Sequence, residues 1–295
     1  NQLRRAADLI LAAERPLFIA GGGVISSNAS EILATLAREL SIPVTTTLMG
    51  LGAFPSDDPL SLRMPGMHGT YVANMAMNSA DLLIGVGARF DDRVTGKLST
   101  FAPKAKIIHI DIDPTSIRKT IQVDVPVVGD CRMALEGIRE VLSARLEAAP
   151  RDWSGDRAPW LNQLAEWRKA RPLTYAKGSN LKPQQVLEAL ERITKGEAII
   201  VTEVGQHQMW SAQFLSVRKP RTFFTSGGLG TMGYGLPAAI GVQLGLPDKL
   251  VIDVAGDGSI QMNSQEFMTA VANKLPVKTL ILNNGYLGMV RQWQE

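Results

Sequence analysis

Short runs of β-branched and aliphatic residues alternate along this chain with segments of helical periodicity, and that alternation restricts the fold more than any other feature. Residues 17–20, 44–47, 82–86, 107–110 and 125–128 are the first set of strand candidates. A second set follows at 198–202, 222–225, 251–254 and 279–282, with helices expected at 183–193, 236–244 and 264–273. Strands separated by helical crossovers pair in parallel, so the pattern predicts an α/β fold of two doubly wound, Rossmann-like parallel sheets. Within the first set, Asn28 followed three residues later by Glu31 reads as a helix start, and Ile32, Leu33, Leu36 and Leu40 then recur at helical spacing. Residues 1–13 read as an amphipathic helix with Arg4 and Arg5 on its polar side. Between the two sets the periodicity dissolves into Pro, Gly, Asp and Arg around Trp153, Trp160 and Trp167, with a polar helix at 160–169. The reading is therefore a first domain over 1–147, a linker over 148–180 and a second domain over 181–295.

Length agrees, because 295 residues exceed what one hydrophobic core supports. The 31 basic and 28 acidic residues are scattered, with no block of like charge to follow a nucleic-acid backbone or an anionic membrane. No stretch approaches the roughly 20 apolar residues of a membrane span. A single cysteine, Cys131, rules out an intrachain disulfide framework. The first residues lack a signal-peptide pattern, there is no initiator methionine, and the last residue closely follows a candidate motif, so both ends read as cut.

The most informative chemistry sits at two strand ends. The run 251–254 leads into Ala255-Gly256-Asp257-Gly258-Ser259, and the run 279–282 leads into Asn283-Asn284. In a parallel sheet, ligands bind beyond the carboxyl ends of the strands, so Asp257 and Asn284, 27 positions apart, can converge on one small site. Oxygen donors without thiolate or imidazole suit a hard ion, above all Mg²⁺, with phosphate oxygens completing the octahedron. Gly256 and Gly258 allow a diphosphate to approach the backbone, and Ser259 can donate to it. Gly-Asp-Gly alone is equally compatible with a tight turn; the complete spacing, with 24 residues between Gly258 and Asn283, is far more specific.

That spacing resembles the thiamine-diphosphate motif. Gly205-Gln206-His207-Gln208-Met209-Trp210, Ser226-Gly227-Gly228-Leu229-Gly230-Thr231-Met232-Gly233 and Leu287-Gly288-Met289-Val290-Arg291-Gln292-Trp293 are similar to segments of the acetohydroxyacid synthase (acetolactate synthase) catalytic-subunit family. So are Leu48-Met49-Gly50-Leu51-Gly52, Gly66-Met67-His68-Gly69, Gly87-Ala88-Arg89-Phe90-Asp91-Asp92-Arg93-Val94-Thr95-Gly96 and His109-Ile110-Asp111-Ile112-Asp113. The resemblance runs almost end to end and keeps motif order.

It implies metal ligation by the Asp257 and Asn284 side chains and the Tyr286 carbonyl. It also implies thiamine diphosphate contacts from Gln206, His207, Gly230, Thr231, Met232, Gly258, Ser259, Leu287, Gly288 and Met289, with Met232 wedged under the bent cofactor. From residue chemistry alone, the alternatives are a capping or surface role for His207 and a core position for Met232. Glu203 reads as a strand-end residue rather than the catalytic acid. For the first domain the resemblance implies FAD, held by Gly22, Thr47, Leu48, Pro65, Gly66, Met67, His68, Gly87, Ala88, Arg89, Phe90, Asp91, Asp111, Ile112 and Asp130. Gly21-Gly22-Gly23 after a strand permits close approach to a dinucleotide, Arg89 can pair with its phosphates and Asp111 can bind a ribose or adenine edge, although the triplet lacks the G-x-G-x-x-G spacing. His109 reads as a core histidine. A substrate and inhibitor channel is implied for Met67, Asp92, Arg93, Met289 and Trp293.

The implied reaction is decarboxylation of pyruvate and addition of the two-carbon unit to a second 2-oxoacid, pyruvate or 2-oxobutyrate, in branched-chain amino-acid biosynthesis. In the family the cofactor-activating glutamate belongs to an N-terminal domain of a neighbouring subunit, so no catalytic residue is expected in this chain and the isolated fragment is expected to be inactive. The family also implies a homodimer or homotetramer with a regulatory small subunit, in the bacterial cytoplasm or a plant plastid. Glyoxylate carboligase or pyruvate oxidase, and a non-catalytic nucleotide-binding module, are the competing readings.

Overall fold

A computed structural model describes residues 1–295, which divide into two compact units, Asn1–Thr174 and Tyr175–Glu295. The first unit holds strands β1 (Pro16–Ala20), β2 (Val44–Thr46), β3 (Ser61–Arg63), β4 (Leu82–Val86), β5 (Lys106–Asp111) and β6 (Val125–Val128). They form one parallel sheet in the order β3-β2-β1-β4-β5-β6. Successive side chains of a strand point to opposite faces. Accordingly Leu17, Ile19 and Leu83 enter one core cluster while Phe18, Ala20 and Ile84 enter another. Both faces are covered, as a parallel sheet requires.

The sequence reading missed β3, whose three residues are too short for an alternation to register. Asn28 is not the helix cap expected of it. The helix Ser30–Glu39 starts from Ala29, and Asn28 takes the left-handed conformation at φ 55°, which its short polar side chain tolerates.

Residues 148–180, read as a linker, are for the most part the helix Trp153–Ala170. The helix expected at 160–169 starts seven residues earlier and runs through Pro159. This helix belongs to the first unit: Trp160 and Leu164 lie in one core cluster, Trp153 in the other, and Trp160 Nε1 donates to the Pro16 carbonyl at 3.2 Å.

Arg157 explains why a charged residue sits in that core. It is 1% exposed, its guanidinium lies 4.3 Å from the Trp153 ring centroid, and it donates to the carbonyls of Leu40 and of Ile10, the latter at 3.0 Å. Those carbonyls belong to the C-terminal ends of the helices Ser30–Glu39 and Gln2–Ala12, so one cation satisfies acceptors that the helices cannot. Burial pulls its pKa down to about 10, which leaves it protonated at neutral pH. Arg157→Met is expected to lower stability by about 3 kcal/mol, since charge-assisted hydrogen bonds contribute roughly 1.5–3 kcal/mol each. Urea denaturation of the two forms measures it.

The second unit holds β7 (Ile199–Thr202), β8 (Phe223–Thr225), β9 (Val251–Gly256) and β10 (Lys278–Leu282), parallel in the order β10-β9-β7-β8. The helix Gly235–Gly245 packs Leu236, Ala239 and Ile240 against strand residues such as Val201, Val251 and Ala255. In both units the strand order reverses direction next to the first strand, between β1 and β4 and between β7 and β9, so each sheet has a crevice of the kind that accepts ligands. The doubly wound α/β expectation holds for both. No helix is long and apolar enough to cross a membrane.

Candidate functional site

In the second unit, β7 ends at Thr202 and the helix Gln206–Phe214 begins four residues later, while β9 runs directly into the short helix Asp257–Ile260. β10 lies beside β9 with Leu282 opposite Gly256, which brings Asn283 and Asn284 up beside Asp257. The Asn284 backbone N–H donates to Asp257 Oδ1 at 3.4 Å. The two loop tips, 27 residues apart in sequence, therefore lie side by side. Asn284 Oδ1 accepts from the Tyr286 backbone N–H at 3.0 Å, which folds 284–286 into a tight turn. Asn284 Nδ2 lies 3.3 Å from Gln206 Oε1, so a third loop joins the pair.

Glycines mark the close approaches. A methyl group on Gly258 would lie 2.7 Å from Leu287 Cδ2 and 3.9 Å from Met232 Cε, and one on Gly288 would lie 2.1 Å from Gln206 Oε1. One on Gly256 would fall 2.7 Å from His207 Nδ1. Gln206, His207, Met232, Asp257, Gly258, Asn284, Leu287 and Gly288 thus surround one spot. Gly230, at φ 67°, sits beside Val204 in the same crevice, and Thr231 donates its backbone N–H to Ser226 Oγ at 2.9 Å. Ser259 is buried with its hydroxyl 3.4 Å from the Gly256 carbonyl, turned back toward its own turn. The Tyr286 ring instead stacks with the Arg291 guanidinium at 4.1 Å. On the helix Gly288–Gln294, Met289 is half-buried and Trp293 exposed.

His207 is buried, and its Nε2 has no hydrogen-bond partner. Burial lowers its pKa to about 4, against the opposing pull of the Glu203 backbone and the Asp257 carboxylate, so the ring is neutral and can serve as donor or acceptor. A buried histidine that lies against Gly256 and leaves its Nε2 without a partner, a hard-oxygen donor set and glycines at each contact fit a diphosphate with its divalent ion.

Three polar residues that the sequence reading passed over or set aside support this spot. Glu203 is fully buried and accepts from the backbone N–H groups of Gly233 at 2.7 Å and Leu236 at 3.1 Å. Asn263 Nδ2 donates to the Gly233 carbonyl at 2.7 Å. Asp253 is fully buried on β9 and neither carboxyl oxygen has a partner. No signal of spacing distinguishes these; an acid in the middle of an apolar strand was the available clue for Asp253.

Burial, with Glu203 nearby, pushes the Asp253 pKa up to about 8 from an ordinary 3.8. A carboxyl with a raised folded-state pKa contributes stability that is complete below its unfolded value and is lost as pH rises through the folded one. The Asp253→Asn variant is free of that loss. Its melting temperature relative to the parent is expected to climb between about pH 4 and pH 8 and to level off above, as paired thermal melts across that range would show.

In the first unit, the β1 and β4 ends meet at the crevice. A methyl on Gly21 would lie 2.0 Å from the Gly87 carbonyl oxygen and one on Gly23 would lie 2.6 Å from Gly87 Cα, whereas Gly22 meets only Met49, at 3.3 Å. Two of the three glycines thus serve contact between the two loops; Gly22 alone is left for a ligand. Thr47 donates its N–H to the Ala20 carbonyl at 2.9 Å and leads into the turn Leu48–Gly50. Arg89 pairs with Asp91 at 2.7 Å, both exposed. Phe90, at φ 54°, buries its ring against His109, 5.0 Å between centroids, and His109 Nε2 lies 2.8 Å from the Ala88 carbonyl oxygen. His109 is a core residue as expected, satisfied on that nitrogen only. Asp111 accepts from the Asp113 N–H, and Asp130 caps the helix Cys131–Ala148. Those two acids, after burial, push the Cys131 thiol up to about 11. Ile112 is exposed.

A second loop pair forms nearby in sequence. Gly66, at φ 92°, lies against the Arg93 carbonyl, Met67 donates its N–H to that carbonyl at 2.9 Å, and Asn74 brackets Gly66 from both sides. Asn74 is another residue that sequence reading missed. Met67, Asp92 and Arg93 are therefore neighbours, with Pro65 and Gly69 closing the same turn. Burial and Arg93 both lower the His68 pKa.

Comparison with known proteins identifies both units by family. Residues 3–138 match the thiamine pyrophosphate enzyme central domain, and residues 203–295 the C-terminal TPP binding domain of the same enzymes. Over its whole length the chain is 49% identical to acetolactate synthase isozyme 3 large subunit of Escherichia coli K12, of which it covers 51%. It is 48% identical to the acetolactate synthase large subunit of Buchnera aphidicola from Schizaphis graminum, covering 51%, and 49% identical to chloroplastic acetolactate synthase 3 of Brassica napus, covering 44%. The chain spans about half the length of the curated relatives it matches.

Proposed function

Because the chain belongs to the thiamine pyrophosphate enzymes and carries their central and C-terminal TPP-binding domains, we propose that it is the diphosphate-binding and flavin-binding part of an acetolactate synthase catalytic subunit. The observation that carries this reading is the meeting of Asp257 and Asn284 at adjacent strand ends, where the Asn284 backbone N–H donates to Asp257 Oδ1 at 3.4 Å. Asp257 and Asn284 would hold Mg²⁺ with the Tyr286 carbonyl, and the remaining positions would go to diphosphate oxygens.

Thiamine diphosphate, when bound, supplies the electron sink for decarboxylation of a 2-oxoacid. What this chain contributes is position. His207, neutral and with a free Nε2, would hydrogen-bond the diphosphate, and the glycines at 256 and 258 leave the backbone approachable. Met232, whose Cε reaches toward Gly258, would support the cofactor from below with a soft side chain. FAD is assigned to the β1/β4 crevice of the first unit, with Gly22, Arg89 and Asp111 as its principal contacts. The substrates are pyruvate and a second 2-oxoacid, and within the second unit Met289 and Trp293 would line the approach to the cofactor. Relatives carry the words large subunit in their names, which supports a partner subunit of a second kind; bacterial cytoplasm or a plastid is the corresponding location.

The test is a product assay. The full-length polypeptide, given pyruvate, Mg²⁺ and both cofactors, is expected to form acetolactate, while residues 1–295 alone bind cofactor without turnover. Acetolactate from residues 1–295 alone would overturn the division of labour. A full-length enzyme making only acetyl phosphate or tartronate semialdehyde from the corresponding 2-oxoacids would overturn the activity.

A further inference from the structure

We infer that Glu203 is a positioning residue for the 230–232 loop, which it holds through the turn that follows. The inference rests on the reading of that loop as part of the thiamine diphosphate site. Glu203 is the first residue beyond β7 and is wholly buried, with a second buried acid, Asp253, as its neighbour. Its two carboxyl oxygens are used separately: Oε2 accepts from the Gly233 N–H at 2.7 Å and Oε1 from the Leu236 N–H at 3.1 Å. Those N–H groups flank the start of the helix Gly235–Gly245, where helical hydrogen bonding leaves donors unsatisfied and the backbone dipole favours an acceptor.

The turn is fixed from its other side as well. Asn263 donates to the Gly233 carbonyl, so the two peptide groups flanking the Gly233 Cα are each held by a side chain from a different element. Gly233, at φ 86°, needs such a grip, because glycine without one samples many conformations. Gly235 has no room for any side chain: a methyl there would lie 2.5 Å from Asp253 Oδ1 and 2.9 Å from Glu203 Cγ. Asp253 and Glu203 thus wall the turn, and Met232 is the next residue before it. A buried acid with two backbone partners is too costly to serve as filler, since its burial must be offset by those bonds.

The test uses the full-length enzyme with thiamine diphosphate as the probe, at saturating Mg²⁺. Glu203→Gln keeps the shape but turns one acceptor into a donor facing an N–H. Its thiamine diphosphate Kd is expected to rise about tenfold or more, while the KM for pyruvate at saturating cofactor stays within about twofold. Asn263→Ala loosens Gly233 at its other peptide group and from the more exposed side, and is expected to shift the Kd in the same direction by a smaller factor. A purely architectural Glu203 would lower the melting temperature and leave the ratio of cofactor Kd to pyruvate KM unchanged, and that result overturns the inference. If Glu203→Gln does not fold, an unchanged Kd in Asn263→Ala overturns it alone. Failure of the underlying site reading is separable, because Asp257→Ala would then also bind thiamine diphosphate like the parent.

Discussion

Asp257→Ala in the full-length polypeptide loses Mg²⁺-dependent thiamine diphosphate affinity by about 100-fold or more, and acetolactate formation at ordinary cofactor concentrations falls with it. The size follows from what the residue does. Groups that merely orient a metal ligand cost roughly 10–100-fold when removed, so the ligand itself sets that range as its floor. Asp257 is also the one ionisable side chain of the proposed donor set, because Asn284 and the Tyr286 carbonyl are neutral. Removing it leaves a dication facing amide oxygens alone. Asp257→Asn keeps an oxygen but not the charge and is expected to fall between the two. Calorimetric titration of thiamine diphosphate at fixed Mg²⁺ reads both; parent-like affinity in Asp257→Ala would remove the residue from the site.

Gly21→Ala is expected to destabilise the first unit by about 3 kcal/mol or more, the upper end of what overpacking costs. The methyl would stand 2.0 Å from the Gly87 carbonyl oxygen and 2.7 Å from Ala88 Cα, and both are backbone atoms with no flexible end to swing aside. Gly21 N–H donates to Val86 at 2.9 Å and Gly23 N–H to Gly87 at 3.1 Å, so moving the loops apart also breaks the bonds that close the β1/β4 crevice. Gly22→Ala, whose methyl meets Met49 at 3.3 Å, should cost about 1 kcal/mol or less by comparison while weakening flavin binding. Thermal melts together with flavin fluorescence separate the two. Equal melting temperatures for the variants would mean that the loops do not pack as described.

The contrast between those glycines shows what a sequence can and cannot disclose. Nearly every strand is visible in it, because parallel strands buried on both faces are continuous apolar runs. The strand ends carrying Asp257 and Asn284 are visible for the same reason, and their spacing is a motif. Gly21 and Gly23, by contrast, look like ligand-binding glycines and are packing glycines, since the loop that crowds them comes from residue 87, far away in sequence. Residues 153–170 look like a linker because their helix carries polar and aromatic residues without a clean stripe. Only the fold reveals that Trp153, Arg157 and Trp160 are covered. Glu203, Asn263 and Asn74 act on backbone groups of other loops, and a residue that serves the backbone leaves no periodic or motif signature.

The central claim is that two loop tips share one divalent ion that holds a diphosphate. Crystals of the full-length protein grown with thiamine diphosphate and Mn²⁺ in place of Mg²⁺ test it through the anomalous signal of the metal. One strong peak within bonding distance of both Asp257 Oδ and Asn284 Oδ1, next to the diphosphate, is the expected result. Bound cofactor with the metal elsewhere, or with Asp257 and Asn284 turned away from it, would contradict the account.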